Sequence, residues 1–237
     1  MYKENAMNIK FKLSRKNIYI ILSVLICTVA VCFIDTVIQP GYWIKSGIKL
    51  FLFLSVIGAY FIANKDELPR LKRLFIPKRW DILKGLGIGI AIFAFLLGAY
   101  FTLRDRIDFS VITGKLTSDT GVSRENFIYV SLYISVVNSL LEELFFRGLG
   151  FIILKKNTSR LFAYIFSSFM FAVYHSGMTS GYFNIGIFLF TLFGLFVGGV
   201  IFNFLDDKSE TIYASWLTHL FANLGINTVG MILFGII

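Results

Sequence analysis

Apolar residues in this chain do not alternate with polar ones, and they do not recur at helical spacing on one face. They come in long runs: 18–34, 48–63, 83–103, 127–154, 161–174, 184–205 and 211–237. A bilayer core of about 30 Å takes about 20 helical residues, so runs of this length read as membrane spans. The expected architecture is all-α: a polytopic membrane helix bundle of seven transmembrane helices. The last run would be about 40 Å long as one helix. It is expected to be either one long tilted helix or two short ones, the second case giving eight. The domain reading is a basic arm over 1–17 and a single transmembrane domain over 18–237, with no room for a second soluble domain. The first run follows a basic segment, as in a signal peptide. It is long for that role and no small-x-small cleavage site follows, so it reads as a retained span.

Composition agrees with the pattern. Of 237 residues, 57% are hydrophobic and only 16% charged, with a mean hydropathy of +0.75. So few charges cannot cover a water-soluble surface. The only prolines, Pro40, Pro69 and Pro77, all fall between runs.

The net charge is +9. In a soluble domain this would raise nucleic acid as a partner, but here the positive charges sit in short loops, where they set topology. No nucleic-acid partner is expected. The arm, the 65–79 loop and the 155–160 turn are rich in Lys and Arg, and alternating spans put them on one side, expected to be cytoplasmic. The acidic 206–210 turn falls on that side too and dissents. The charge-balanced 104–126 loop and the uncharged 178–182 turn fall on the other. Lys45 and Lys49, at the start of the second span, read as snorkelling side chains. Gly194 and Gly198, at GxxxG spacing, read as a close helix contact. Cys27 and Cys32 are five apart and do not share a helix face, so neither a disulfide nor a metal pair is expected.

Ionisable residues within a span cost about 2.5–3.5 kcal/mol each at the helix centre. They persist where they are paired, line a cavity or do work. The informative ones are Glu142, Glu143, Arg147, His175 and His219, which include both histidines of the chain. Glu143 and Arg147 are four apart and can pair on one helix face. Glu142 lies about 100° round the helix with no cation on its own face. A carboxylate in an apolar site without a partner is a candidate general base or acid. His219 and Asn223 share a face, which Ser215 and Asn227 extend, and such a polar stripe must face protein or water. Counted from turns on one side at about 1.5 Å per residue, Glu142, His175, His219 and Asn223 reach comparable depths and can converge.

Three segments carry a resemblance. EELFFR at 142–147 fits EExxxR, FAVYH at 171–175 fits FxxxH, and HLFAN at 219–223 fits HxxxN. In this order, on successive apolar segments, they resemble the CPBP family: the CAAX protease and bacteriocin-processing group of intramembrane endopeptidases, also called Abi. The resemblance covers about 120–237. It implies peptide-bond hydrolysis at membrane depth, on a membrane-associated peptide or protein substrate such as a bacterial peptide precursor or a CAAX-type C-terminus. It implies Glu142 as the residue that activates water. His175, His219 and Asn223 would orient that water and stabilise the oxyanion, with Glu143 and Arg147 in support. No cofactor is then required.

Zinc held by Glu142, His175 and His219 is the alternative, since three ligands with room for a water make a catalytic zinc set. That would consume both histidines, and the HExxH helix is missing. A serine mechanism lacks a GxSG-type nucleophile. An aspartyl mechanism lacks two aspartates within spans. A transporter would predict paired repeats, and none is found. The reading from another class is a non-catalytic membrane regulator or bacteriocin self-immunity protein that binds a membrane partner; retention of every motif residue favours the enzyme. The residue usage suggests an AT-rich, bacterial source, and hence an integral protein of a bacterial cell membrane with its N-terminus in the cytoplasm.

Overall fold

The computed structural model describes residues 14–181 and 184–237. Most of the expected basic arm, and Tyr182 of the uncharged turn, lie outside the described residues. Among these residues the chain is all-helical and no strand occurs. α1 (Arg15–Phe33) continues through a wider i→i+5 turn at Ile34–Ile38 and is followed by α2 (Tyr42–Ala63). The 65–79 loop contains a short helix, α3 (Leu68–Leu74). α4 (Arg79–Leu103) follows, and the 104–126 segment, expected as a loop, folds a helix of its own, α5 (Ser110–Thr120). Residues 127–153 are helical without a break. They run through α6 (Phe127–Leu132), i→i+5 turns at Tyr133–Asn138, α7 (Ser139–Glu142) and further i→i+5 turns at Glu143–Ile153. This whole segment is called the motif helix below. α8 (Arg160–Thr179), α9 (Ile185–Asp206) and α10 (Tyr213–Leu233) complete the bundle.

Among the described residues six helices, against the seven spans expected, are long and apolar enough to cross a membrane: Arg15–Ile38, α2, α4, α8, α9 and α10. The final run forms one helix, not two. The motif helix stands apart for a physical reason. From Leu141 to Leu154 every residue except Leu144 is buried, so its apolar side chains line the protein core. Phe53 of α2 stacks on its Phe145 at 3.8 Å between ring centroids, nearly parallel. The other helices wrap it and turn large apolar side chains outward, among them Phe51, Phe95, Phe190 and Phe193. That outer surface suits lipid.

The close helix contact is not at Gly194 and Gly198, where an added methyl group would meet nothing within 4 Å. Spacing alone cannot tell which glycine pair faces a neighbour. The pair that does is Gly85 and Gly89 on α4, also four apart. A Cβ at Gly85 would sit 2.8 Å from Leu217 Cβ and 2.9 Å from Ala214 O, and one at Gly89 2.9 Å from Phe221. These small residues let α4 press directly on α10. α10 is laced to the motif helix from its other side. Trp216 Nε1 donates to Ser139 Oγ at 3.1 Å, Asn223 to Ile134 O at 3.2 Å, and Asn227 to Ser135 Oγ at 3.0 Å. The polar stripe on α10 therefore faces protein, as the sequence suggests.

One end of the bundle gathers charge. Lys16 pairs with Asp66 at 2.6 Å and Lys155 with Asp207 at 2.6 Å, and Arg160 also reaches Asp207. Arg73 and Lys156 meet Glu210 at 3.2 and 3.4 Å. The acidic 206–210 turn, which dissents in the sequence, is thus the counter-charge for the basic turns beside it. Asp206 itself is wholly buried and caps α10, accepting from Ser215 N at 3.1 Å and Ser215 Oγ at 2.6 Å.

Gly85→Ala is expected to lower the thermal unfolding midpoint in detergent, at a cost of about 1–3 kcal/mol for forced overpacking. Gly194→Ala should leave that midpoint unchanged.

Candidate active site

The motif helix, α8 and α10 bring Glu142, His175 and His219 together, all three buried. Glu142 closes α7, where regular helix gives way to i→i+5 turns, a feature often found at working sites. Its two oxygens differ. Oε1 accepts from Asn138 Nδ2 at 2.6 Å and from the Tyr174 hydroxyl at 2.8 Å, and Lys49 Nζ stands 3.7 Å away. Oε2 has no hydrogen-bond partner. It faces Nε2 of His175 at 3.7 Å and Nε2 of His219 at 3.8 Å.

Both imidazoles are held from behind. His175 Nδ1 lies 2.8 Å from Phe171 O. A carbonyl only accepts, so Nδ1 carries the hydrogen and a neutral ring turns its Nε2 lone pair toward Glu142. His219 Nδ1 lies 2.8 Å from Glu143 Oε1, which imposes the same tautomer. Three acceptors then converge on one point. Such a lining suits a hydrogen donor such as water or a cation.

Glu143 and Arg147 form the expected ion pair. Arg147 Nε is 3.3 Å from Glu143 Oε2, and both side chains are fully buried. The guanidinium also lies between aromatic rings, 4.1 Å from the Phe171 centroid and 4.8 Å from that of Phe202. Such cation–π contacts recover part of the hydration the cation has lost.

Asn223 sits one turn beyond His219 on the same face and is half-buried. Its amide is engaged by Ile134 O, and no hydrogen bond joins it to Glu142 or to either histidine. It therefore lies beside the convergent group and not within it.

Sequence reasoning missed three members of the site. Asn138 and Tyr174 are neutral and give no signal in an apolar run beyond their place one turn, or one residue, from a motif position. The snorkelling expected of Lys49 does not occur, and Glu142, with no cation on its own helix face, receives one from α2. Lys49 is buried and turned inward. It lies four residues before Phe53, on the α2 stripe Ser46, Lys49, Phe53, Ile57 and Tyr60 that packs inward. A position about 10 Å inside the helix and on that stripe was the available signal. Lys45, one turn nearer the membrane surface, pairs with Asp35 at 2.9 Å.

The set Glu142, His175 and His219 has the chemistry of a zinc site, with Oε2 3.7 and 3.8 Å from the two nitrogens. Among the described residues no group of three His, Cys, Asp or Glu side chains is gathered to hold a metal ion.

Fold and site together define a polytopic membrane protein built around a buried glutamate–histidine centre. Residues 124–225 match the family described as type II CAAX prenyl endopeptidase Rce1-like. This match agrees with the CPBP resemblance of the three motifs. No curated protein and no solved structure gives a significant match to the chain. The family is one of intramembrane peptidases, which an integral membrane bundle of this kind suits.

Removing Arg147 leaves Glu143 charged and unpaired in the core. Arg147→Ala is expected to destabilise the protein by about 3–5 kcal/mol, whereas replacing both partners with apolar residues of similar volume should restore much of the loss. Thermal unfolding of Arg147→Ala beside the double variant Arg147→Met with Glu143→Leu checks this.

Proposed function

We propose that this protein is an intramembrane endopeptidase that hydrolyses a peptide bond of a membrane-associated substrate by glutamate-activated water, without a metal. The observation that supports this most is the unbonded Oε2 of Glu142, facing two imidazole nitrogens at 3.7 and 3.8 Å. Glu142 takes a proton from water as the oxygen adds to the scissile carbonyl, and it returns that proton to the departing amine. His175 and His219 hold the water in line. The second amide hydrogen of Asn223, which Ile134 does not use, serves the developing oxyanion. Glu143 and Arg147 fix the ring of His219 from behind. No covalent enzyme intermediate forms. The substrate is a bacterial peptide precursor or a CAAX-type C-terminus.

In this reading the motif helix is a seventh span, and the charged end of the bundle faces the cytoplasm, in keeping with the positive-inside rule. The site then lies in a bacterial cell membrane with its N-terminus inside.

Detergent-purified wild type and Glu142→Gln, tested on lipidated and unlipidated hydrophobic peptides, separate the readings. The variant should insert and melt like wild type yet lose at least about 10²-fold in cleavage, and a chelator should leave wild-type cleavage intact. Chelator-sensitive cleavage restored by zinc would replace this mechanism with a metal one. A biological effect that survives Glu142→Gln would favour the regulator or immunity reading.

Orientation is checked separately in a variant without Cys27 and Cys32. A single cysteine at position 156 should react in intact cells only with membrane-permeant thiol reagents. A cysteine at position 119 should react with impermeant ones.

A further inference from the structure

The region matched to the family begins at residue 124, yet one of the charges facing Glu142 comes from α2, well before it. Lys49 is buried, and its ammonium lies 3.7 Å from Glu142 Oε1 and 5.6 Å from the centre of the Tyr174 ring. Its position is fixed by neighbours on its own helix. Phe53, one turn on, stacks on Phe145 at 3.8 Å and also meets Phe146 and Tyr174 edgewise or tilted at 5.9 and 5.8 Å. α2 therefore cannot slide without breaking that stack, and Lys49 cannot leave the carboxylate. Asn138, Tyr174 and Lys49 all stand on the Oε1 side. Nothing donates to Oε2.

We propose that Lys49 is a positioning residue for Glu142. Its ammonium, with Tyr174 and Asn138, holds Oε1 so that Oε2 is the oxygen presented to the two imidazoles and to water. The carboxylate is thereby given a front and a back. A carboxylate free to rotate would share its proton-accepting work between two equivalent oxygens, only one of which faces the histidines. The proposal deepens the peptidase reading and rests on it for its catalytic consequence, while the polarisation of Glu142 is a property of the protein at rest.

The test is built to separate the two. Infrared spectra of the full-length protein in detergent, taken as differences against Glu142→Gln, isolate the carboxyl band of Glu142. Asymmetric bonding of its oxygens sets the position of that band. Removing the ammonium in Lys49→Met should move it, Lys49→Gln should move it likewise, and Lys49→Arg should return it toward the wild-type position. The glutamine variant keeps the proposal testable where the methionine variant does not fold. On an internally quenched farnesylated peptide, kcat should fall about 10–100-fold in Lys49→Met, the range seen when an outer partner of a working group is lost. KM should change less than about threefold, because the substrate itself is not touched. Lys49→Arg should recover most of kcat. An unmoved Glu142 band in both uncharged variants overturns the proposal, whatever the kinetics. A moved band with no cleavage of any peptide by wild type supports the positioning role and counts against the peptidase reading alone.

Discussion

The arrangement depends on a single buried cation. Arg147 has lost all contact with solvent, and it meets side chains of the motif helix, α8 and α9. Glu143 on its own helix supplies the opposite charge, and through Glu143 the cation also fixes His219 of α10. Phe171 of α8 and Phe202 of α9 close over the guanidinium. Phe171 in turn lends its carbonyl to His175. The cost of placing a guanidinium in the core is therefore offset by contacts from three elements at once, and Glu143 and Phe171, which make two of them, also hold the two imidazoles. A buried pair of this kind adds little net stability. Its value lies in allowing one packing arrangement and penalising the others.

The six apolar helices, the Glu143–Arg147 pair and the meeting of Glu142 with His175 and His219 were legible in the sequence. They share one property: a charged or ionisable group inside an apolar run has few physical solutions, so its position alone is informative. Lys49 escaped because a lysine near the start of a span has two solutions, outward to the surface or inward to an anion, and only the tertiary register of Phe53 on Phe145 decides between them. The glycine contact was misplaced for a related reason. Gly85–Gly89 and Gly194–Gly198 have the same spacing, and only the former faces a neighbouring helix. Asn223 lies one turn beyond His219 on the expected stripe, with its amide engaged by the backbone carbonyl of Ile134.

The two halves of the chain contribute differently. The motif helix, α8 and α10 carry the residues that converge. α4 presses on the outer side of α10, and α2 brings a cation to the far side of Glu142. The region matched to the family is therefore not the whole of the site. The apolar first half, which carries no motif, packs α4 against α10 and brings the ammonium of Lys49 to Oε1 of Glu142.

Chain order adds a consequence of the charge pairing. Glu143 and Arg147 lie one turn apart in the same segment, so they reach the bilayer already neutralised, before α8, α9 or α10 has been synthesised. The cation that faces Glu142 belongs to α2 and has already emerged by then. The histidines arrive last and can enter uncharged. Of these groups only Lys49 enters before its partner is made, and a lysine side chain is long enough to reach toward the membrane surface until Glu142 arrives. A circular permutation that moved α2 behind the motif helix would reverse that order and leave the shorter side chain of Glu142 to enter before its cation.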